Sequence, residues 1–394
     1  MKYYRLRRVL MIVLRNIASL VITRIFAYQY KREKGPDVPT LIIANHNTDL
    51  DPAMVGMGFF GHTFFLASEH AFRKGFFSKF LMFVFAPISF NKVLPDTSSL
   101  KEMLNRIKAG HSVCLFAEGN RSYNGVTGHI PASTAKLVKM SGAALITYHF
   151  EGGYFTTPRW ARKWRKGKMT GKIVGRYSAE EIKAMTADEV LAIIKRDIHE
   201  DAYQRQKENP VPFRGEYLAE YIETVLYLCP GCKKIGTIHS KGSRFFCACG
   251  LDALYTETCF LEGENLPFTT ITEWDRWQFE QLTMMVNNAK DEPICTDDNQ
   301  KLFVIQTGAG AAQTGGRQGS RSLVAEGAMQ ISNTEFQCAG LVVPLRNLTR
   351  FAIVDRMTLT FALKDGTMYE VHSDVPRSAL KYIEVLRIVR NENE

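Results

Sequence analysis

Acidic residues are missing where the cations of this chain concentrate. Residues 159–176 carry eight Lys/Arg and no acid, and residues 1–34 carry nine Lys/Arg against the single acid Glu33. Together these stretches exceed the formal net charge of +10, so the rest of the chain is net acidic. Such clustering points to an anionic surface or a polyanionic substrate rather than to uniform solvation. A long uninterrupted apolar run is also missing. Residues 9–30 are apolar but broken by Arg15 and Arg24, and no small-residue cleavage site is clear, which argues against a secretory signal. A central arginine costs about 2.5–3.5 kcal/mol on insertion scales, which disfavours a spanning helix. A helix lying in the membrane interface fits better, with basic residues at the headgroups and Leu, Ile, Val and Phe in the acyl boundary; the alternative is a core helix packed on the following domain. Only eight cysteines occur in 394 residues, four clustered (Cys229, Cys232, Cys247, Cys249) and four scattered, so no disulfide framework is expected. That pattern favours a reducing compartment and one metal site. The glycine-rich residues 307–321 contain no phosphate-loop pattern and read as a flexible loop.

At 394 residues the chain exceeds the usual size of one core, and its 45% hydrophobic content rules out a mainly disordered protein. Residues 31–39 read as a polar linker into an apolar strand at 41–44. That strand delivers NHNTDLD (residues 45–51) to a strand-to-helix turn. Asp51 is close enough to hydrogen-bond the ring of His46, fixing its tautomer and leaving one nitrogen free to take a proton. The alternative is that Asp51 caps a helix with Pro52 in its first turn. A helix over 52–60, an apolar segment at 63–67 and an aromatic stretch at 72–85 follow. Next come a strand ending on Asn91-Lys92, a helix opened by a Ser99–Glu102 capping box, and a strand at 113–116 ending in AEGNRS (residues 117–122). Alternating strands and helices predict an α/β layered, mainly parallel sheet, with the ligand crevice beyond the carboxyl ends of the strands. His46, Asn91-Lys92 and Glu118-Arg121 all follow strand ends.

The order NHNTDLD, PISFNK, FAEGNRS resembles the glycerolipid acyltransferases of the PlsC type, over about residues 38–225. The resemblance implies that His46, oriented by Asp51, is the general base that deprotonates an acceptor hydroxyl. That hydroxyl attacks the thioester of acyl-CoA or an acyl carrier protein, and no catalytic metal is needed. It further implies an acceptor-binding set of Asn91, Lys92, Glu118, Gly119 and Arg121, with the Arg121 guanidinium on the acceptor's phosphate. The implied acceptor is a lysophospholipid such as 1-acylglycerol-3-phosphate, and the implied location is the cytoplasmic face of a membrane, held peripherally. Ala117 replaces the motif's proline, Asn120 its threonine and Lys92 its usual arginine. Leu145-Ile146-Thr147 lacks the proline of a fourth motif. Because the changes fall in the acceptor set, a different lysolipid or an amino-acid lipid is an alternative acceptor, and a non-catalytic lipid-binding scaffold is a second class.

In residues 158–176, Trp160 and Trp164 interleave with the cations, which suits a membrane interface of anionic phospholipid. The alternatives are binding CoA phosphates, docking an acidic carrier protein, or a zinc-ribbon nucleic-acid binder as a third class, although nucleic acid is not the expected partner. Two helices with capping boxes at Ser178–Glu181 and Thr186–Glu189 close this domain. Cys229-Pro-Gly-Cys232 and Cys247-Ala-Cys249-Gly250 resemble the knuckles of a zinc ribbon, predicting a closed structural Zn²⁺ site; rubredoxin-like iron is the competing ion. From residue 255 onward the pattern is mostly period two and ends in a helix after Pro376. That order resembles a PH- or GRAM-like domain. The expected organisation is a basic amphipathic helix and linker (1–37), the acyltransferase domain (38–225), the zinc-ribbon-like module (226–254) and a small mainly-β domain (255–394).

Overall fold

The computed structural model describes residues 4–34, 37–68, 80, 82–93, 97–306 and 320–391. Most of the expected aromatic stretch 72–85 and of the glycine-rich stretch 307–321 lies outside the described residues. The chain divides into two units: Met1–Phe90, Asp96–Arg159 and Trp164–Gly215 form the first, and Asn91–Pro95, Trp160–Lys163 and Glu216–Glu394 the second.

In the first unit helix α1 (Tyr4–Phe26) precedes nine strands: β1 (Tyr28–Tyr30), β2 (Glu33–Lys34), β3 (Thr40–Ala44), β4 (Phe59–Phe60), β5 (Thr63–Ser68), β6 (Ile88–Phe90), β7 (Ser112–Phe116), β8 (Ala144–Glu151) and β9 (Met169–Tyr177). Seven of them form a mixed sheet in the order β1-β9-β8-β3-β7-β5-β6. All its neighbours run parallel except β8 and β9. Side chains alternate across it. Leu41, Ile43, Val113 and Leu115 pack with Met103, Ile107, Val138, Val190 and Ile194, from helices Thr97–Lys108, Ala132–Ser141 and Ala187–Asp197. On the opposite face Ile42, Ala44 and Cys114 meet Met54, Val55 and Met57 of helix α2 (Asp51–Gly58), together with Ile22 and Phe26 of α1. The result is the three-layered α/β arrangement expected for strands buried on both faces.

Both capping boxes, Ser178–Glu181 and Thr186–Glu189, are present. The helix expected to open at Ser99 already includes Thr97, and Glu102 pairs instead with Arg106, at 2.8 Å.

The basic run 159–176 is divided between the two units, with residues 160–163 in the second and the rest in the first. Its second half is strand β9, with cations on outward positions. Lys172 pairs with Glu151 and Arg176 with Glu33. In the second unit Arg162 and Lys163 pair with Glu220 and Glu216. Trp160 is fully buried against Tyr255, whereas Trp164 is 58% exposed, so only one of the two tryptophans is available to a membrane.

The second unit begins its own sheets with the antiparallel set β10 (Ile238–Lys241), β11 (Arg244–Cys247), β12 (Asp252–Tyr255) and β13 (Leu261–Glu262). An 18-residue helix, Ile271–Asn288, follows where period-two strands were expected. It opens with a Thr270–Glu273 capping box and buries Trp274, Gln278 and Leu282. A seven-stranded antiparallel sheet between Cys295 and Ser373 and the helix Leu380–Val389 complete the unit.

Candidate active site

Strand β3 ends at Ala44, and the next residue fixes the turn. The Asn45 amide nitrogen donates to the Phe150 carbonyl at 2.9 Å, and the Phe150 N–H donates back to Asn45 Oδ1 at 2.8 Å. This two-way bond ties the turn to strand β8. Beyond β8, Gly152 adopts φ 75°, and a Cβ on Gly153 would stand 2.8 Å from the Asn47 Cβ. The glycine pair therefore lets the chain pass directly beneath the turn.

Asp51 is fully buried and receives four donors. They are the N–H groups of Asn47 (2.6 Å) and Thr48 (2.9 Å), the Thr48 hydroxyl (2.6 Å) and His46 Nδ1 (2.9 Å). Four donors compensate the burial of a carboxylate, and a helix start favours its negative charge. Asp51 is the first residue of α2, and Leu50 occupies the cap position, so Asp51 serves the turn rather than capping the helix. A carboxylate only accepts, so Nδ1 carries the ring proton in neutral His46 and Nε2 presents its lone pair. The ring is 19% exposed and stacks on Phe116, with centroids 4.3 Å apart.

Glu118 lies in the turn after β7. Its Oε1 accepts from the His46 N–H and its Oε2 from the Gly128 N–H, both at 2.7 Å. Burial raises its carboxyl to about 7 against the pull of these two backbone donors. Gly119 has φ 68° in that turn. A further link is the Ser122 N–H to the His46 carbonyl, 3.1 Å. Arg121 Nε lies 3.4 Å from Asp49 Oδ1, and its Nη1 is 3.5 Å from the Thr157 carbonyl.

Sequence reasoning named His46, Asp51, Glu118, Gly119 and Arg121, and all five meet on these two loops. It missed Asp49. It also missed the support beneath: Thr127 N–H bonds the Glu200 carbonyl, and the Glu200 N–H bonds Thr127 Oγ1. The buried Glu200 carboxylate in turn meets His149 and Arg205. Asn91 and Lys92 group with the second unit. There the Asn91 amide donates to Met368 Sδ at 3.5 Å, and Val93 packs with Ile305, Ala352 and Met368.

In the second unit the sulfurs of Cys229, Cys232, Cys247 and Cys249 lie within 4.8 Å of one another. Cys229 and Cys249 are 3.6 Å apart, and Cys232 and Cys247 3.8 Å. Four thiolates on a tetrahedral ion with bonds of about 2.3 Å stand about 3.8 Å apart, so this donor set fits a metal such as zinc. The segment leading into Cys229 is held by the long helix. Trp274 Nε1 donates to the Leu228 carbonyl (2.9 Å), while the Gln278 amide bonds Val225 and Tyr227.

No curated protein matches the chain at a significant level. Among solved structures the chain is similar to the 1-acyl-sn-glycerophosphate acyltransferase PlsC from Thermotoga maritima. The identity is 19%, the match covers 50% of this chain and 81% of that one, and the TM-score is 0.41. The family model described as Acyltransferase matches residues 27–155. Over that segment, which carries His46, Asp51, Glu118 and Arg121, the chain is similar to the acyltransferase family.

Proposed function

We propose that this chain is a membrane-associated acyltransferase that moves a fatty acyl group from an acyl-CoA or acyl-carrier-protein thioester to the hydroxyl of a lysolipid. The observation that carries the reading is the His46 Nδ1–Asp51 Oδ2 contact of 2.9 Å, within a segment matching the acyltransferase family. In the reaction the acceptor hydroxyl gives its proton to His46 Nε2 as its oxygen attacks the thioester carbonyl carbon. A C–O bond forms, the C–S bond breaks, and the proton passes from Nε2 to the departing thiolate. Asp51 holds the ring and stabilises the imidazolium that forms between these steps. Arg121 meets the anionic part of the acceptor. Glu118 keeps the loops of His46 and Gly128 in register.

The outer face of α1 supports the membrane side of the reading. Leu6, Val9, Val13, Ile17 and Leu20 are each at least 50% exposed and form one stripe at helical spacing. Arg15 points the other way, donating to the Phe59 carbonyl at 2.8 Å, whereas the exposed Arg24 follows Leu20 at helical spacing and ends the stripe on a cation. Trp164 lies at the end of the helix, its ring 5.3 Å from Phe26. Such a surface suits burial among lipid headgroups and acyl chains.

Cys229, Cys232, Cys247 and Cys249 would hold a structural Zn²⁺. Four thiolates fill its coordination and supply folding energy rather than chemistry.

The test is mass spectrometry of lipids formed by the purified full chain from mixed acyl-CoA and acyl-carrier-protein thioesters and a panel of lysolipids in vesicles. A new ester product supports the reading. No acylated product from any pair overturns it.

A further inference from the structure

Asp49 stands three residues after the base, on the turn that also carries Asp51. The other two carboxylates here are already committed. Asp51 is buried under four donors, and both oxygens of Glu118 accept backbone N–H groups. Asp49 differs from both, because its side chain is 85% exposed and its one ion-pair partner among the described residues is Arg121. Arg121 itself is only 13% exposed. Asp49 Oδ1 takes the Nε side of the guanidinium at 3.4 Å, and the Thr157 carbonyl lies 3.5 Å from Nη1. An anion arriving at Arg121 therefore docks beside Asp49 or has to displace it.

These positions set a charge rule for the acceptor. A phosphate monoester brings about two negative charges at neutral pH. It would place them next to the Asp49 carboxylate, which already neighbours the Arg121 guanidinium. A headgroup that pairs one anion with an ammonium meets both partners. Its single negative charge shares Arg121, and its N–H donors face the exposed Asp49 carboxylate. Resting on the acyltransferase reading above, we propose that Asp49 is a specificity-determining residue. It selects a lysolipid acceptor whose headgroup carries an ammonium beside one anion, against an acceptor ending in a phosphate monoester. The transferred group and the bonds made and broken stay as written for His46.

The experiment compares kcat/KM of the purified full chain for three acceptors in the same vesicles: 1-acylglycerol-3-phosphate, its phosphoethanolamine counterpart, and an amino-acid lysolipid carrying ammonium and carboxylate. Asp49→Asn and Asp49→Glu accompany the unaltered chain, and mass spectrometry identifies each ester. The expected result is preference for an ammonium-bearing acceptor. Asp49→Asn should narrow that preference by about two- to fivefold, mainly through KM, and Asp49→Glu should largely restore it. The relative rates of the two ammonium acceptors identify the anion as phosphodiester or carboxylate. A native preference for the phosphate monoester, or a ratio changed less than about twofold by Asp49→Asn, overturns the proposal and leaves the acyltransferase reading standing. No acylation of any acceptor overturns both. Because Asp49 is exposed, its variants test specificity without removing a buried group.

Discussion

The backbone N–H of His46 donates to Glu118 Oε1 at 2.7 Å, while the other oxygen of that carboxylate accepts from Gly128 at the same distance. Glu118 is thus a brace between three segments. Its Glu118→Gln variant retains one acceptor and turns an amide N–H₂ towards a backbone donor. A loss of about tenfold or more in kcat is expected, with a smaller change in acceptor KM. Steady-state kinetics of the variant measure this. An effect confined to KM would place Glu118 on the substrate instead.

Glu118 also predicts a pH dependence of stability. Its folded value, near 7, lies above the ordinary glutamate value of 4.5. Between these limits the folded chain holds a proton that the unfolded chain has released, so this group's contribution falls as pH rises from about 4.5 to 7. Glu118→Gln cannot ionise. The melting temperature of the variant minus that of the unaltered chain should therefore rise between pH 5 and pH 8. A flat or falling difference contradicts the shift.

Asp51→Asn keeps the shape of the side chain but offers only one acceptor oxygen to the four donors that reach the carboxylate. It also leaves the imidazolium without its counter-charge. A fall of about 10²- to 10⁴-fold in kcat is expected, and stability should fall as well because a fully buried network is broken. Rate assays and thermal melts on the same preparation read both.

Native mass spectrometry should find one zinc per chain. A strong chelator should release it and lower the melting temperature, and Cys232→Ser should prevent its uptake. Chelation that leaves mass and stability unchanged would count against the metal site.

The α1 stripe is tested by Val13→Glu with Leu20→Glu. Both residues are more than half exposed, so the fold should survive while co-sedimentation with anionic vesicles drops severalfold. Equal sedimentation would mean that this helix face does not bind lipid.

The sequence exposed the strand-to-helix turn because burial on both faces leaves a nearly pure apolar run before His46. The capping boxes at Ser178 and Thr186 were legible because they are local hydrogen-bond patterns. The same signature at Thr270–Glu273 was hidden by Gln278, a polar residue in the buried face of that helix whose amide bonds Val225 and Tyr227. Strand β9 was masked by outward-facing Lys172 and Arg176. Composition alone could not say that Trp160 packs inside while Trp164 faces solvent. Nor could it pair the exposed Asp49 with Arg121, since that contact depends on how two loops 72 residues apart meet, as His46 and Glu118 do.

The most direct measurement is the initial rate of acyl transfer by the purified full chain and by its His46→Ala variant, with thioester and lysolipid saturating. If His46 is the base, the variant keeps its fold and its acceptor KM but loses about 10²- to 10⁴-fold in kcat. A variant that transfers acyl groups at the unaltered rate would contradict that role.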